Sequence, residues 1–157
     1  MSLFMVIRTL INKSLQSLAR HIVPNEARVL LYRIIGFRIG SNTFIGKHVS
    51  IDITLPSLVK IGDNVGLAAN VTILTHRRDL HDYSKSKGYN DYPFIQQPVV
   101  IHDNAQIGCG SIILPGVSIG RATIVAAGSV VTKSAPDNCL IAGNPARVIK
   151  EYLDVQS

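Results

Sequence analysis

The chain has 157 residues, 46% of them hydrophobic but only 6% aromatic, with no tryptophan at all. That length suits one domain, and the scarcity of rings excludes a core built on large aromatics and points to something narrow and repetitive. The formal charge of +6 is uneven: residues 1–40 hold Arg8, Lys13, Arg20, Arg28, Arg33 and Arg38 against Glu26 alone, while the rest is nearly balanced; such a basic end fits a solvated helix face or an anionic partner such as a membrane surface or a phosphorylated ligand, and no nucleic-acid partner is expected.

From Leu3 the apolar residues recur at three- and four-residue steps through Val6, Ile7, Leu10, Ile11, Leu15 and Leu18, which predicts a basic amphipathic helix. Pro24 interrupts it, and Asn25 opens a second helix through Leu30, Leu31 and Ile34 to a stop near Gly36. The apolar face is expected to pack on its own domain or a neighbouring subunit, with peripheral membrane contact as its other use. No stretch approaches the roughly 18 uncharged apolar residues of a membrane span, and nothing reads as a signal peptide. Cys109 and Cys139 are too few for a disulfide framework, so the expected location is cytoplasmic.

From Ile39 the rhythm changes. An aliphatic residue falls at every sixth position: Ile39, Ile45, Ile51, then Ile61, Leu67, Ile73, then Ile101, Ile107, Ile113, Ile119, Val125, Val131. Four residues after each of these a small or β-branched side chain often recurs, as at Thr43, Val49, Ala105, Ser111 and Ser129. A period of six fits neither a 3.6-residue helix nor an ordinary strand; it predicts hexapeptide repeats coiled into a parallel β-helix. Three short strands make one triangular coil, and successive coils climb by the strand spacing of about 4.8 Å. The expected organisation is therefore 1–37 helical, 38–137 β-helix, and 138–157 a C-terminal tail.

The ladder breaks twice. Four extra residues surround LPSL between Ile51 and Ile61, and a polar stretch separates Ile73 from Ile101. Insertions of that kind in a repeat array sit on a binding face, so residues 77–97 are read as a loop projecting from the column.

Four segments carry a resemblance: VTILTH at 71–76, QPVVIHDNAQIGCGSIILPGVSIG at 97–120, VAAGSVVTKSAPDN at 125–138 and IAGNPARVIKE at 141–151. Over residues 36–151 the chain resembles the hexapeptide-repeat acyltransferases, especially the maltose/galactoside O-acetyltransferase and xenobiotic acetyltransferase branches. The resemblance implies an all-β, left-handed parallel β-helix with N-terminal α-helices and a projecting loop. It further implies a homotrimer whose active sites lie between neighbouring columns, acetyl-CoA as cosubstrate, and a sugar, saccharide or related small molecule as acceptor. His76 is then the general base.

The chemistry fits that assignment. Transfer from a thioester to a hydroxyl needs the hydroxyl proton removed as the new bond forms, and an imidazole titrates near neutrality. By the same resemblance Cys109, Ala127, Thr132, Lys133, Arg147 and Lys150 contact the cosubstrate, and the last two also suit phosphate. Asn70 and Asp52 are placed on the acceptor side, and Tyr83, Tyr89 and Tyr92 as candidates to stack on an acceptor ring. Two other classes stay open on the residues alone. His76, His81 and His48 could bind zinc in the manner of the γ-class carbonic anhydrases, which share the repeat. The β-helix could also serve as a non-catalytic assembly scaffold.

Overall fold

The computed structural model describes residues 3–21 and 24–152. Residues 22, 23 and 153–157, and the side chains of Leu3 and Val6 counted in the first apolar face, lie outside the described part. Two helices come first, α1 (Leu3–His21) and α2 (Asn25–Ile35), and α2 ends where Gly36 takes φ 114° and turns the chain back over its last carbonyls.

A three-sided column follows. Its first coil holds β1 (Arg38–Ile39), β2 (Phe44–Ile45) and β3 (Ser50–Ile51), and its second β4 (Val59–Ile61), β5 (Gly66–Leu67) and β6 (Thr72–Ile73). A hairpin of β7 (His76–Arg78) and β8 (Phe94–Gln96) then leaves the column. The third coil holds β9 (Val99–Ile101), β10 (Gln106–Ile107) and β11 (Ile112–Ile113), and the fourth β12 (Ser118–Ile119), β13 (Ile124–Val125) and β14 (Val130–Val131). The chain finishes with β15 (Cys139–Gly143) and β16 (Ala146–Glu151).

The strands stack into three parallel faces: β1-β4-β9-β12, β2-β5-β10-β13-β15 and β3-β6-β11-β14. Register follows the sixfold rhythm. Ile39 pairs with Ile61, then Ile101, then Ile119; Ile45 with Leu67, Ile107, Val125 and Ile141; Ile51 with Ile73, Ile113 and Val131. The second series is buried too, with Thr43, Val49, Val65, Val71, Ala105, Ser111, Val117, Thr123 and Ser129 all inside. Each coil thus contributes large and small side chains alternately to a narrow interior, and none of these coil residues is aromatic. Buried hydroxyls donate to carbonyls of their own or the next coil, Ser111 Oγ and Ser129 Oγ to Ala126 O at 3.0 and 2.7 Å.

Stretch 138–157, read as a tail, is a hairpin over its described part. β16 pairs antiparallel with β15 and adds a sixth strand to the second face. At the opposite end the helices cover the open edge of the first coil. Arg28 Nε donates to Ile45 O at 2.6 Å, Tyr32 Oη to Val49 O at 2.8 Å, and Arg33 Nη2 to Gly40 O at 2.7 Å. Asn25 Nδ2 donates to Thr43 O at 3.2 Å, and Gln16 Nε2 to Ile51 O. Carbonyls that a further coil would otherwise take are satisfied by side chains.

Only part of the apolar face of α1 packs on its own column. Leu15 and Ala19 pack on the core, but Ile7, Leu10, Ile11 and Leu18 point outward. Hydrogen bonds from α1 and α2 side chains to the first coil fix which side faces in, and the widest apolar stripe is left out. Among the described residues no helix is long and apolar enough to cross a membrane.

Candidate active site

One edge of the column gathers the chemistry. Asp52 follows β3, Leu74–His76 follow β6, Leu114 follows β11 and Thr132 follows β14. Asp52 N–H donates to Ile73 O, Leu74 N–H to Ile113 O and Leu114 N–H to Val131 O, each at 3.0 Å, so these positions rise one coil at a time along the edge.

His76 is 35% exposed and its Nδ1 is hydrogen-bonded to Asp52 Oδ2. The Asp52 carboxylate is 5% exposed and is held by the protein on both oxygens. Thr75 Oγ1 donates to Oδ2 at 2.6 Å, Thr75 N–H to the same oxygen at 3.3 Å, and Thr54 N–H to Oδ1 at 2.9 Å. Burial by itself would raise the Asp52 pKa. The bonds from Thr75, Thr54 and His76 outweigh it and bring the group down to about 2. An ionised carboxylate accepts only, so Nδ1 carries the proton and the lone pair lies on Nε2. Within the described residues Nε2 makes no hydrogen bond. Asp52, expected to face the acceptor, instead lies beneath the imidazole with its oxygens occupied.

The hairpin supplies the other wall. His76 stands across from Gln96, and Arg78 from Phe94. The Phe94 ring lies 4.8 Å from the imidazole, tilted 31°. The Arg78 guanidinium sits 5.4 Å from the Phe94 ring and 4.7 Å from the Tyr89 ring, and its Nη1 donates to Tyr92 O at 2.9 Å. Phe94 and Tyr89 both present exposed ring surface beside His76 and Arg78. Sequence reading missed Phe94. The signal was present but indirect: an antiparallel pair that begins at His76 brings the last aromatic of the insertion back beside it.

Of the loop tyrosines, Tyr92 is buried, and its hydroxyl accepts from Ser84 N–H and donates to Ser84 O, both at 3.0 Å. It cannot stack on an acceptor. Tyr83 is exposed but spends one ring face on Tyr92, 6.0 Å away and nearly parallel. Asn70 is a corner residue, exposed at φ 61°, whose N–H donates to Lys47 O.

The residues expected to contact the cosubstrate fall into two groups. Thr132 and Lys133 share the His76 edge two coils higher, roughly 10 Å along the column at one strand spacing per coil. Lys133, Ser134, Arg147 and Val148 line a cleft of about 160 Å³ against the terminal hairpin. Lys150, further along β16, holds its ammonium 4.9 Å from the Tyr152 ring. Cys109 and Ala127 stack over one another on the opposite edge of the third face, where Gly128 N–H donates to Cys109 O at 2.8 Å. Both are exposed, and the glycines that follow them, Gly110 and Gly128, have open space over their Cα atoms. Within one chain the two groups therefore stand on different edges.

The histidines proposed for zinc do not converge in the chain. His81 is exposed and pairs with Asp82, and His48 packs edge-on against His21. Among the described residues no three His, Cys, Asp or Glu side chains come together as a metal site.

Comparison with known proteins points one way. The family model described as bacterial transferase hexapeptide (six repeats) matches residues 98–133, and that described as hexapeptide repeat of succinyl-transferase matches residues 36–75. The galactoside O-acetyltransferase of Escherichia coli (strain K12) is 39% identical over 122 residues, which are 75% of this chain and 58% of that protein. The crystal structure of a maltose O-acetyltransferase from Clostridium difficile 630 superposes with a TM-score of 0.71 at 31% identity, covering 98% of this chain and 90% of that one. A galactoside acetyltransferase in complex with coenzyme A also gives a TM-score of 0.71, at 27% identity, over 98% of this chain and 85% of that one.

Proposed function

The chain belongs to the hexapeptide-repeat acyltransferases, and from that premise we propose that it moves an acetyl group from acetyl-CoA to a hydroxyl of a saccharide or related small molecule, with His76 as general base. The observation that carries this reading is the His76–Asp52 pair: an imidazole at a column edge, fixed through Nδ1 and open at Nε2. Membership also supports a left-handed column and a homotrimer. Side-by-side columns would bring the Cys109/Ala127 edge of one copy to the His76/Lys133 edge of the next, joining the two groups that one chain keeps apart.

The chain's residues divide the work as follows. His76 Nε2 takes the acceptor O–H proton as the oxygen adds to the thioester carbonyl. Asp52 keeps the imidazole in the required tautomer and stabilises the imidazolium while it lasts. Backbone N–H groups along the cleft are available to the oxyanion. When the C–S bond breaks, His76 returns the proton to the departing thiolate. Lys133 and Arg147 offer cations to the phosphates of the cosubstrate.

Asp52→Asn keeps the shape and removes the charge that orients His76. The expected result is a kcat lower by about 10–100-fold, with the KM for acetyl-CoA little changed. A stability difference should accompany it. The folded Asp52 pKa lies below its unfolded value, so its contribution is present above pH about 4 and disappears as the pH falls through about 2. Urea unfolding of wild type and variant across that range should show the gap closing toward acid.

The decisive assay presents mono- and oligosaccharides to the protein with acetyl-CoA and follows thiol release. Acceptor-dependent release supports the proposal; absence of both coenzyme A binding and thioester cleavage would sink it.

A further inference from the structure

The outward stripe on the helices is not accounted for by acetyl transfer. Ile7, Leu10, Ile11 and Leu18 of α1 and Leu30 and Ile34 of α2 are between 48% and 60% exposed. On α1 they recur at steps of three, four and seven residues, which places them on one face. The opposite face, with Leu15, Gln16 and Ala19, is the one bound to the column. Exposed Lys13 borders the stripe, Arg8 is exposed on the side of α1 that faces Gly36 and Pro56, and α1 contains no acidic residue. The helices close one end of the column, so the stripe lies at an end and not along a side.

We propose that this outer face of α1 and α2 docks the protein on an anionic lipid bilayer. An apolar stripe on a basic helix without acids matches the boundary between acyl chains and negatively charged headgroups. A protein partner would have to supply a hydrophobic groove with an acidic rim, whereas a bilayer supplies both as a plane. The docking face belongs to a single chain; only its multiplicity rests on the trimer proposed above. With three columns side by side, three caps share one end and engage the same plane, and the active-site edges stand upright above it. Acceptors carried at the lipid surface would then meet the His76 edge at a fixed height, set by the cap and the first coil.

The test mixes the full-length protein with sedimentable vesicles of phosphatidylcholine alone or with phosphatidylglycerol added. Binding is expected only to the anionic vesicles and should weaken with salt. Leu10→Ser/Ile11→Ser/Leu18→Ser should reduce partitioning at least about tenfold, while the melting temperature and thioester cleavage in solution stay as in wild type. If that triple variant does not fold, Arg8→Glu/Lys13→Glu, at exposed positions, decides by the same readout. Wild type that ignores anionic vesicles, or variants that bind as well as wild type, would overturn the proposal. So would a wild-type assembly of two trimers that the triple variant splits, because the stripe would then be an interface between copies. Sedimentation without vesicles separates the two readings: a monomer that still binds lipid would remove the trimer and keep the docking face.

Discussion

His76→Ala is expected to lower kcat by at least about a hundredfold while leaving the affinity for coenzyme A nearly unchanged. On the proposed mechanism the truncation removes the group that accepts the acceptor proton and returns it to the thiolate, so both halves of the reaction would lose their catalyst. It leaves Asp52 held by Thr75 and Thr54, so the buried carboxylate keeps its other donors. His76 is partly exposed and contributes little to the interior, so the fold should persist. The cationic cleft of Lys133 and Arg147 is two coils away and does not touch the imidazole. Thiol release under saturating acetyl-CoA, with coenzyme A binding measured in parallel, checks both halves. Turnover equal to wild type would end the general-base assignment.

The largest loss of stability is expected from Tyr32→Ala, about 3–5 kcal/mol. Tyr32 is fully buried between the helical cap and the first coil, packs edge-on against Phe37 at 5.7 Å, and donates its hydroxyl to Val49 O. Alanine would leave a ring-sized void and strand a buried carbonyl at the column edge. Tyr32→Phe keeps the ring and should cost only about 1–2 kcal/mol. Urea unfolding of the pair separates packing from the hydrogen bond; equal losses in both variants would show that the void carries nothing.

The column was legible because its physics is periodic. A narrow three-sided interior admits an aliphatic side chain once per strand, so Ile101, Ile107, Ile113 and Ile119 announce three faces and their register at once. Gly36 as the stop of α2 was readable for a local reason, the left-handed turn it makes. His76 could be found because it stands where the rhythm stops. What escaped depended on contacts between residues distant in sequence. Asp52 beneath His76 comes from one coil lying over another, and Phe94 beside it from a hairpin whose pairing no periodicity encodes. The direction of the α1 stripe was hidden as well. Hydrophobic spacing says that a face exists, whereas Gln16 and Ala19, polar and small, decide which side touches the column.

The coil is also a ruler. Its pitch is set by the peptide hydrogen bond, so the separation between His76 at the second step and the cations at the fourth is quantised, and no point substitution can tune it finely. Gaining or losing one eighteen-residue turn would change that span by a whole increment of about 4.8 Å. On the proposed function, a thioester donor of constant length would therefore be measured by counting turns, and choice of acceptor would be left to the one segment that escapes the count, the hairpin between Ile73 and Ile101.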